Sequence, residues 1–335
     1  MSFLYITEYD ANLSVKDGAI IVKSKVVDDR ELQVELLEGI LIYGNASITK
    51  ECSKILLQRG IPVTLLSKSG AFFGRIESTK HVNIIRQRAQ FRKGDDPDFC
   101  LSFAKLIIEA KINNQIVVLR RYNRHRDCEE VEKTVQQMTI QKNKVASGTA
   151  LDVVMGTEGI CARYYFAGLA MLVNDKFKFS GRSKMPPRDP FNSLLSLGYT
   201  MLMHEAYNAA VNKGLHPYAG FLHKDKTSHP ALASDLIEEW RATLVDSLVM
   251  NLINSGAFKP EDFEVDEETQ GVNLTPDALR RFIRAYEEKL SVKSRYIEGE
   301  YYPMTFRAAI MYQAGSLAKA IETGDCTVYS ALTLR

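Results

Sequence analysis

The sequence predicts an α+β protein: a small N-terminal β-rich domain over residues 1–80 and a larger all-α domain over 81–335. Three observations predict it. Hydrophobic residues repeat about every second position before residue 77 and about every 3.6 positions after residue 84. The 335 residues exceed the usual length of one domain, roughly 100–200 residues. Apolar residues at 45% and charged residues at 25% are ordinary for a globular protein with a buried core.

The first strands are Leu4-Tyr5-Ile6 and a pair, Asn12 to Val15 and Ala19 to Lys23, joined by Lys16-Asp17-Gly18. Asp-Gly suits a hairpin because both turn residues must adopt positive φ. Leu32 to Leu36 alternates apolar and polar residues, and Gly39 to Tyr43 is a buried-type run. Thr49 to Arg59 has helical spacing, with Thr49 placed to cap it and Gly60 to stop it. Ile61 to Leu66 and Ala71 to Ile76 return to strand. The linker falls near 77–84.

Helices are then expected near 82–92, 99–125, 128–141, 149–173, 190–213, 231–254, 275–291 and 303–322. Asp189-Pro190 is the best start signal, an N-cap followed by proline at the first helical position. Gly214 and Gly256 mark stops, and Phe258 to Gly271 reads as an acidic, irregular, exposed loop. No internal repeat or low-complexity tract occurs.

Forty-three Lys+Arg against forty-one Asp+Glu leave a net charge of +2. Bulk charge therefore does not announce a nucleic-acid partner; any such function must rest on local clustering. His81 to Arg126 holds ten Lys/Arg against four Asp/Glu. Lys176 to Arg188 adds Lys176, Lys178, Arg182, Lys184 and Arg188, with Phe177, Phe179 and Met185 between them. Such clusters neutralise phosphates or form solvated faces. Cysteines 52, 100, 128, 161 and 326 are odd in number and widely spaced, which fits reduced thiols in the cytoplasm and neither a disulfide framework nor a cysteine zinc site. The N-terminal residues lack the pattern of a secretory leader, and no apolar run reaches the 18 residues or so of a membrane span.

The chemistry concentrates in carboxylates placed where a core should be. The helix at 149–173 has the stripe Leu151, Val154, Met155, Cys161, Ala162, Tyr165, Leu169 and Leu172, and Glu158 falls inside it. A lone ionised carboxylate is costly to bury, so Glu158 needs a cation, a proton or a basic partner such as Arg163. On the helix at 231–254, Ala231, Asp235, Glu238, Ala242, Val245 and Val249 share one face. Two acids that close repel unless a metal or proton lies between them, although an acidic first helical turn also answers the helix dipole. His223 ends the run Gly220-Phe221-Leu222 and is placed to point inward, either as a hydrogen-bonded core residue or as a ligand; His216 and His229 are weaker candidates. One imidazole with two or three carboxylates suits Mn²⁺ well and Mg²⁺ acceptably, and zinc less.

At these residues the sequence resembles the CRISPR-associated adaptation integrase and endonuclease, the "Cas-one" family, over almost its whole length. The likeness runs through Gly44-Asn45-Ala46-Ser47-Ile48-Thr49, Gly60-Ile61-Pro62-Val63, Ala110-Lys111-Ile112 with Asn114-Gln115, and Glu158-Gly159-Ile160-Cys161-Ala162-Arg163. It continues in Asp189-Pro190-Phe191-Asn192 and in Gly220-Phe221-Leu222-His223 through His229-Pro230 to Asp235-Leu236-Ile237-Glu238. The resemblance implies that the helical domain is catalytic. It implies Glu158, His223 and Glu238 as ligands of Mg²⁺ or Mn²⁺, with Asp235 a further acid beside them. It also implies insertion of new spacers into a CRISPR array by DNA strand transfer, and nuclease activity, in antiviral defence. The implied partners are double-stranded DNA (incoming fragment and CRISPR repeat), a second copy through the N-terminal domains, and a small ferredoxin-like "Cas-two" protein in a heterohexamer. Arg163, Lys184 and Arg188 are the candidate phosphate contacts. His229-Pro230 stands where many relatives have Arg-Pro, one cation fewer near the site. The alternative is a non-catalytic helical DNA-binding or scaffold protein whose acids are ion-paired with Arg163 and Arg241.

Overall fold

The computed structural model describes residues 2–25, 28–297 and 302–334; Met1 and Arg335, the outer ends of the two expected domains, lie outside the described residues. The chain forms two compact units, residues 1–82 with Leu279–Ile283, and residues 83–278 with 284–335.

The first unit contains two four-stranded sheets. β1 (Ser2–Ile6), β2 (Ala11–Lys16), β3 (Ala19–Lys23), β4 (Arg30–Gln33), β5 (Leu37–Tyr43) and β6 (Ala46–Ile48) precede α1 (Lys50–Arg59). β7 (Val63–Leu66) and β8 (Phe72–Ile76) follow it. One sheet has the order β1-β5-β7-β8 and the other β4-β3-β2-β6. The β2–β3 hairpin turns where Asp17 and Gly18 both hold positive φ, as Asp-Gly requires. Thr49 accepts a hydrogen bond from Cys52 N, and Gly60 ends α1 in the left-handed conformation. Apolar strand residues, among them Ile6, Leu13, Ile20, Ile40 and Ile42, pack with Leu56 of α1 into one core. Two details differ from the sequence reading. Val34–Leu36 is a short 3-10 turn rather than part of a strand, and Ala46–Ile48 forms an unforeseen strand, parallel to β2.

The second unit is built from α2 (Ile84–Gly94), α3 (Pro97–Asn123), α4 (Glu129–Ala146), α5 (Leu151–Leu172), α6 (Pro190–Asn212), α7 (Ala231–Trp240) and α8 (Ser247–Asn254). β9 (Phe263–Val265) and β10 (Val272–Leu274) come next, then α9 (Pro276–Ser291) apart from its Leu279–Ile283, β11 (Lys293–Ser294), β12 (Met304–Thr305) and α10 (Phe306–Thr323). The α+β class and the order of β before α are as the sequence predicted. The acidic stretch Phe258 to Gly271 is not wholly irregular: β9 lies within it and pairs antiparallel with β10. The helix expected over 231–254 is interrupted, because Arg241–Asp246 forms a π-helical turn between α7 and α8. Among the described residues all five cysteines are free, and no helix is long and apolar enough to cross a membrane. α3, α5 and α7 bring their polar positions together, and the site lies there.

Candidate functional site

α3 places the first surprise. Its buried stripe runs through Phe103, Ala104, Ile107 and Ile108, and Lys111 continues it with only 6% of its surface exposed. Lysine is rarely buried unless paired. Here its Nζ lies 2.5 Å from Glu158 Oε1 of α5 and 2.5 Å from Glu238 Oε2 of α7. Two carboxylates eighty residues apart in sequence thus meet on one ammonium, which keeps their oxygens within twice that distance of each other. The Lys111 contact with Glu158 is a hydrogen bond. At the same 2.5 Å the ammonium is also paired with Glu238 Oε2, and that hydrogen bond helps keep the carboxylate ionised. Arg241, first residue of the π-helical turn, holds the other oxygen of Glu238 at 3.2 Å. Burial would raise the Glu238 pKa, but Arg241, Lys111 and His223 together pull it down to about 2. The same geometry lets Glu238 and Glu158 outweigh the desolvation of Lys111 and hold its pKa above the usual value.

Asp235 has a different task. It is fully buried, and its Oδ2 accepts the backbone N–H groups of Phe221 and Leu222 at 2.6 and 3.1 Å. Its Oδ1 accepts the His223 N–H at 3.0 Å and lies 2.7 Å from His223 Nδ1. With Nδ1–H directed at Asp235, Nε2 is the nitrogen left to face the site, 3.7 Å from Glu238 Oε1. Desolvation opposes protonation of the ring, yet the Asp235 hydrogen bond and nearby carboxylates raise its pKa overall. Gly220 makes the approach possible: a Cβ there would meet Ala231 Cβ and Asp235 Oδ2, both at 2.9 Å. The helix-dipole reading of Asp235 does not apply, since it is the fifth residue of α7 and is held by loop amides.

The other predicted residues divide. Arg163 is exposed and is not the partner of Glu158; Lys111 is, because α3 packs against α5 at that level while Arg163 lies on the outer face. Lys184 is exposed but crowded: desolvation, then the charges of Arg241 and Arg182, hold its ammonium below the ordinary lysine value. Arg188 donates to Thr269 O and Gln270 O at 3.3 and 3.1 Å. His229 bonds Ser234 Oγ at 3.0 Å, and its ring lies 6.3 Å from that of His223; the His216 N–H is instead bound by Gln90.

Sequence reading missed Lys111 as a member of the site, although its position inside an apolar stripe was a usable signal. Of the two arginines expected as ion-pair partners of the acids, Arg241 does pair with Glu238. Asp246, at the end of the π-helical turn, accepts from Tyr165 OH at 2.8 Å and Tyr199 OH at 2.5 Å. Arg182 and Arg241 both lie over the Tyr199 ring, at 5.3 and 5.1 Å from its centre. No spacing in the sequence reveals that assembly.

No three His, Cys, Asp or Glu side chains among the described residues stand as a ready metal cage, since the carboxylates turn toward Lys111. The donor set nevertheless fits a hard divalent ion: two carboxylates converging on one point and one oriented imidazole nitrogen.

Acidic side chains gathered on a cation, with an imidazole aimed between them and guanidinium groups close by, define a centre suited to phosphodiester chemistry. The comparisons with known proteins agree. The family model described as CRISPR associated protein Cas1 matches residues 4–288, and the chain belongs to that family. It is 35% identical over 321 residues to a protein of Mycobacterium tuberculosis named CRISPR-associated endonuclease Cas1, covering 96% of this chain and 94% of the relative. Among solved structures it is similar to a casposase bound to integration product, with TM-score 0.83, 25% identity and coverage of 98% and 93%. It also matches a chain of a Cas6-RT-Cas1–Cas2 complex, with TM-score 0.86 and 25% identity, over all of this chain but 36% of that one.

Proposed function

We propose that the protein is an integrase and endonuclease of CRISPR adaptation, which inserts new spacers into a CRISPR array by DNA strand transfer and also cleaves DNA. One observation carries the reading: Glu158 and Glu238, from different helices, meet on a single cation beside the Nε2 of His223. The relatives' names supply the substrate, since one is an endonuclease and one is bound to an integration product. Strand transfer forms a bond from an incoming 3′-oxygen to phosphorus and breaks a bond from phosphorus to a 3′-oxygen in the repeat. One phosphodiester replaces another, so no energy-supplying cofactor is needed.

Glu158, Glu238 and His223 Nε2 are the residues to hold Mg²⁺ or Mn²⁺. Such an ion supplies Lewis-acid stabilisation of the charge that grows on the phosphate. The protein does the rest. Asp235 fixes the imidazole tautomer and aims Nε2. Arg241 keeps Glu238 ionised and oriented. Lys184 stands beside Arg241 and Arg182 as a further cation for the DNA backbone, and the exposed Arg163 and Arg188 are further candidates for phosphate contacts. The assembly we infer is a homodimer through the β-rich domains, bridged by a Cas2-type partner in a heterohexamer; the likeness to a Cas1–Cas2 complex supports the partnership. The compartment is the cytoplasm, where the CRISPR array lies.

The test is strand transfer of a labelled fragment into a repeat-containing plasmid. Glu158→Ala, His223→Ala and Glu238→Ala should each reduce joined product by at least about a hundredfold with the secondary structure retained. Normal integration by Glu238→Ala would refute the ligand assignment. One observation favours a rival: Lys111 and Arg241 already neutralise the carboxylates, as a structural ion-pair scaffold requires. That rival predicts activity and melting temperature indifferent to EDTA, whereas loss of both to EDTA excludes it.

A further inference from the structure

The ammonium of Lys111 occupies the position between Glu158 and Glu238, 2.5 Å from an oxygen of each. It hydrogen-bonds Glu158 and pairs equally closely with Glu238 Oε2. Arg241 independently holds the other Glu238 oxygen. The lysine therefore holds the two oxygens that a metal ion set between these acids would take. Charge adds a second argument. Two carboxylates against Lys111 and Arg241 are balanced as the structure stands. Adding a divalent ion while the ammonium stays between them would press two cations into one cleft. The lysine stem is long and flexible, with a compact, rotatable head, and Glu158 is the more exposed of the two acids at 18% of its side chain. The way out for an ammonium, and the way in for an ion, lies on the Glu158 side.

We propose that Lys111 is a built-in counter-ion that holds Glu158 and Glu238 in place and is displaced from between them when a divalent ion enters. This rests on the metal reading above and deepens it. Lys111 is a positioning residue. It keeps two acids together on separate helices while no metal is bound, and it sets a threshold for metal entry because the ion must compete with it. A site that is occupied only part of the time by a competing group binds its ligand more weakly by that fraction.

The test compares wild type with Lys111→Met, which keeps length and apolar stem and removes charge. Mn²⁺ is titrated by calorimetry, and melting is followed with and without Mn²⁺. The expected result is Mn²⁺ affinity raised by about tenfold in the variant, the competing group being gone. Its metal-free form melts below metal-free wild type, and the gap closes when both are loaded. Equal or weaker Mn²⁺ binding by the folded variant overturns the proposal. If Lys111→Met does not fold even with Mn²⁺, wild-type crystals soaked in Mn²⁺ decide. An ion on Glu158 and Glu238 with Nζ beyond hydrogen-bonding reach of both supports displacement, and an ion with Nζ still bridging them overturns it. No Mn²⁺ bound by wild type in either experiment is a different result and sinks the metal reading itself.

Discussion

Asp235 and Glu238 are three residues apart on one helix face and work in opposite directions. Glu238 presents its carboxylate to two cations, Lys111 and Arg241, and to the His223 ring. Asp235 turns both oxygens away, onto three backbone amides and a ring nitrogen. Side-chain length decides which does which: the shorter acid reaches only the loop packed against its own helix, and the longer one crosses to α3. Spacing showed that two acids share a face; it could not show that one is an internal strut. A prediction follows from the difference. Asp235→Ala leaves three buried N–H groups unpaired, each costing about 1–3 kcal/mol, so at least about 3 kcal/mol in all. The melting midpoint should fall by at least about 6 °C, and because His223 loses its orientation, Mn²⁺ affinity should fall as well. Retention of the wild-type midpoint in differential scanning calorimetry would show that Asp235 does not organise the loop.

At the scale of elements, periodicity and capping chemistry made most helices legible. Asp189 does accept from Asn192 N at the head of α6, and Thr49 and Gly60 bound α1. The π-helical turn at Arg241–Asp246 was not legible, because its residues differ from an α-helical run only through partners distant in sequence. That turn sets Arg241 against Glu238 and delivers Asp246 to Tyr165 and Tyr199. Lys111 was missed for a related reason. Its place in an apolar stripe marked it as buried, but which acids it meets depends on the facing helices. The buried Asp246 gives the turn a pH signature. Burial raises its carboxyl from 3.8 to about 6, although the Tyr199 and Tyr165 hydroxyls and the charges of Arg182 and Arg241 work against the rise. The folded protein therefore binds that proton more tightly than the unfolded chain. The associated stability is fully present below about pH 4 and is lost as pH climbs through about 6, about 3 kcal/mol in total. Asp246→Asn cannot titrate. In urea denaturation the stability of the variant minus that of wild type should rise by about 2 kcal/mol from pH 4 to pH 7; a flat difference would place the carboxyl in contact with solvent.

For the whole molecule, charge is distributed locally rather than in bulk. A net charge of +2 would give almost no attraction for DNA, so affinity has to come from the few cations the fold gathers at the site. Arg182, Lys184 and Arg241 are drawn together closely enough to depress the Lys184 pKa after desolvation. Like charges are costly to assemble, and a phosphate between them would relieve the cost. Other lysines are already engaged: Lys133 is exposed on α4 and paired with Glu129 at 2.8 Å. The salt dependence of binding separates the two kinds, because each phosphate neutralised releases counterions and adds about 0.9 to the slope of log affinity against log salt. Lys184→Ala should make that slope shallower by about 0.9 for duplex DNA and weaken binding most at low salt. Lys133→Ala removes an equal charge from the same protein and should leave the slope unchanged. Fluorescence anisotropy across a series of NaCl concentrations measures both. Equal effects from the two substitutions would mean that DNA responds to total charge, and that the cluster around Glu238 does not touch its backbone.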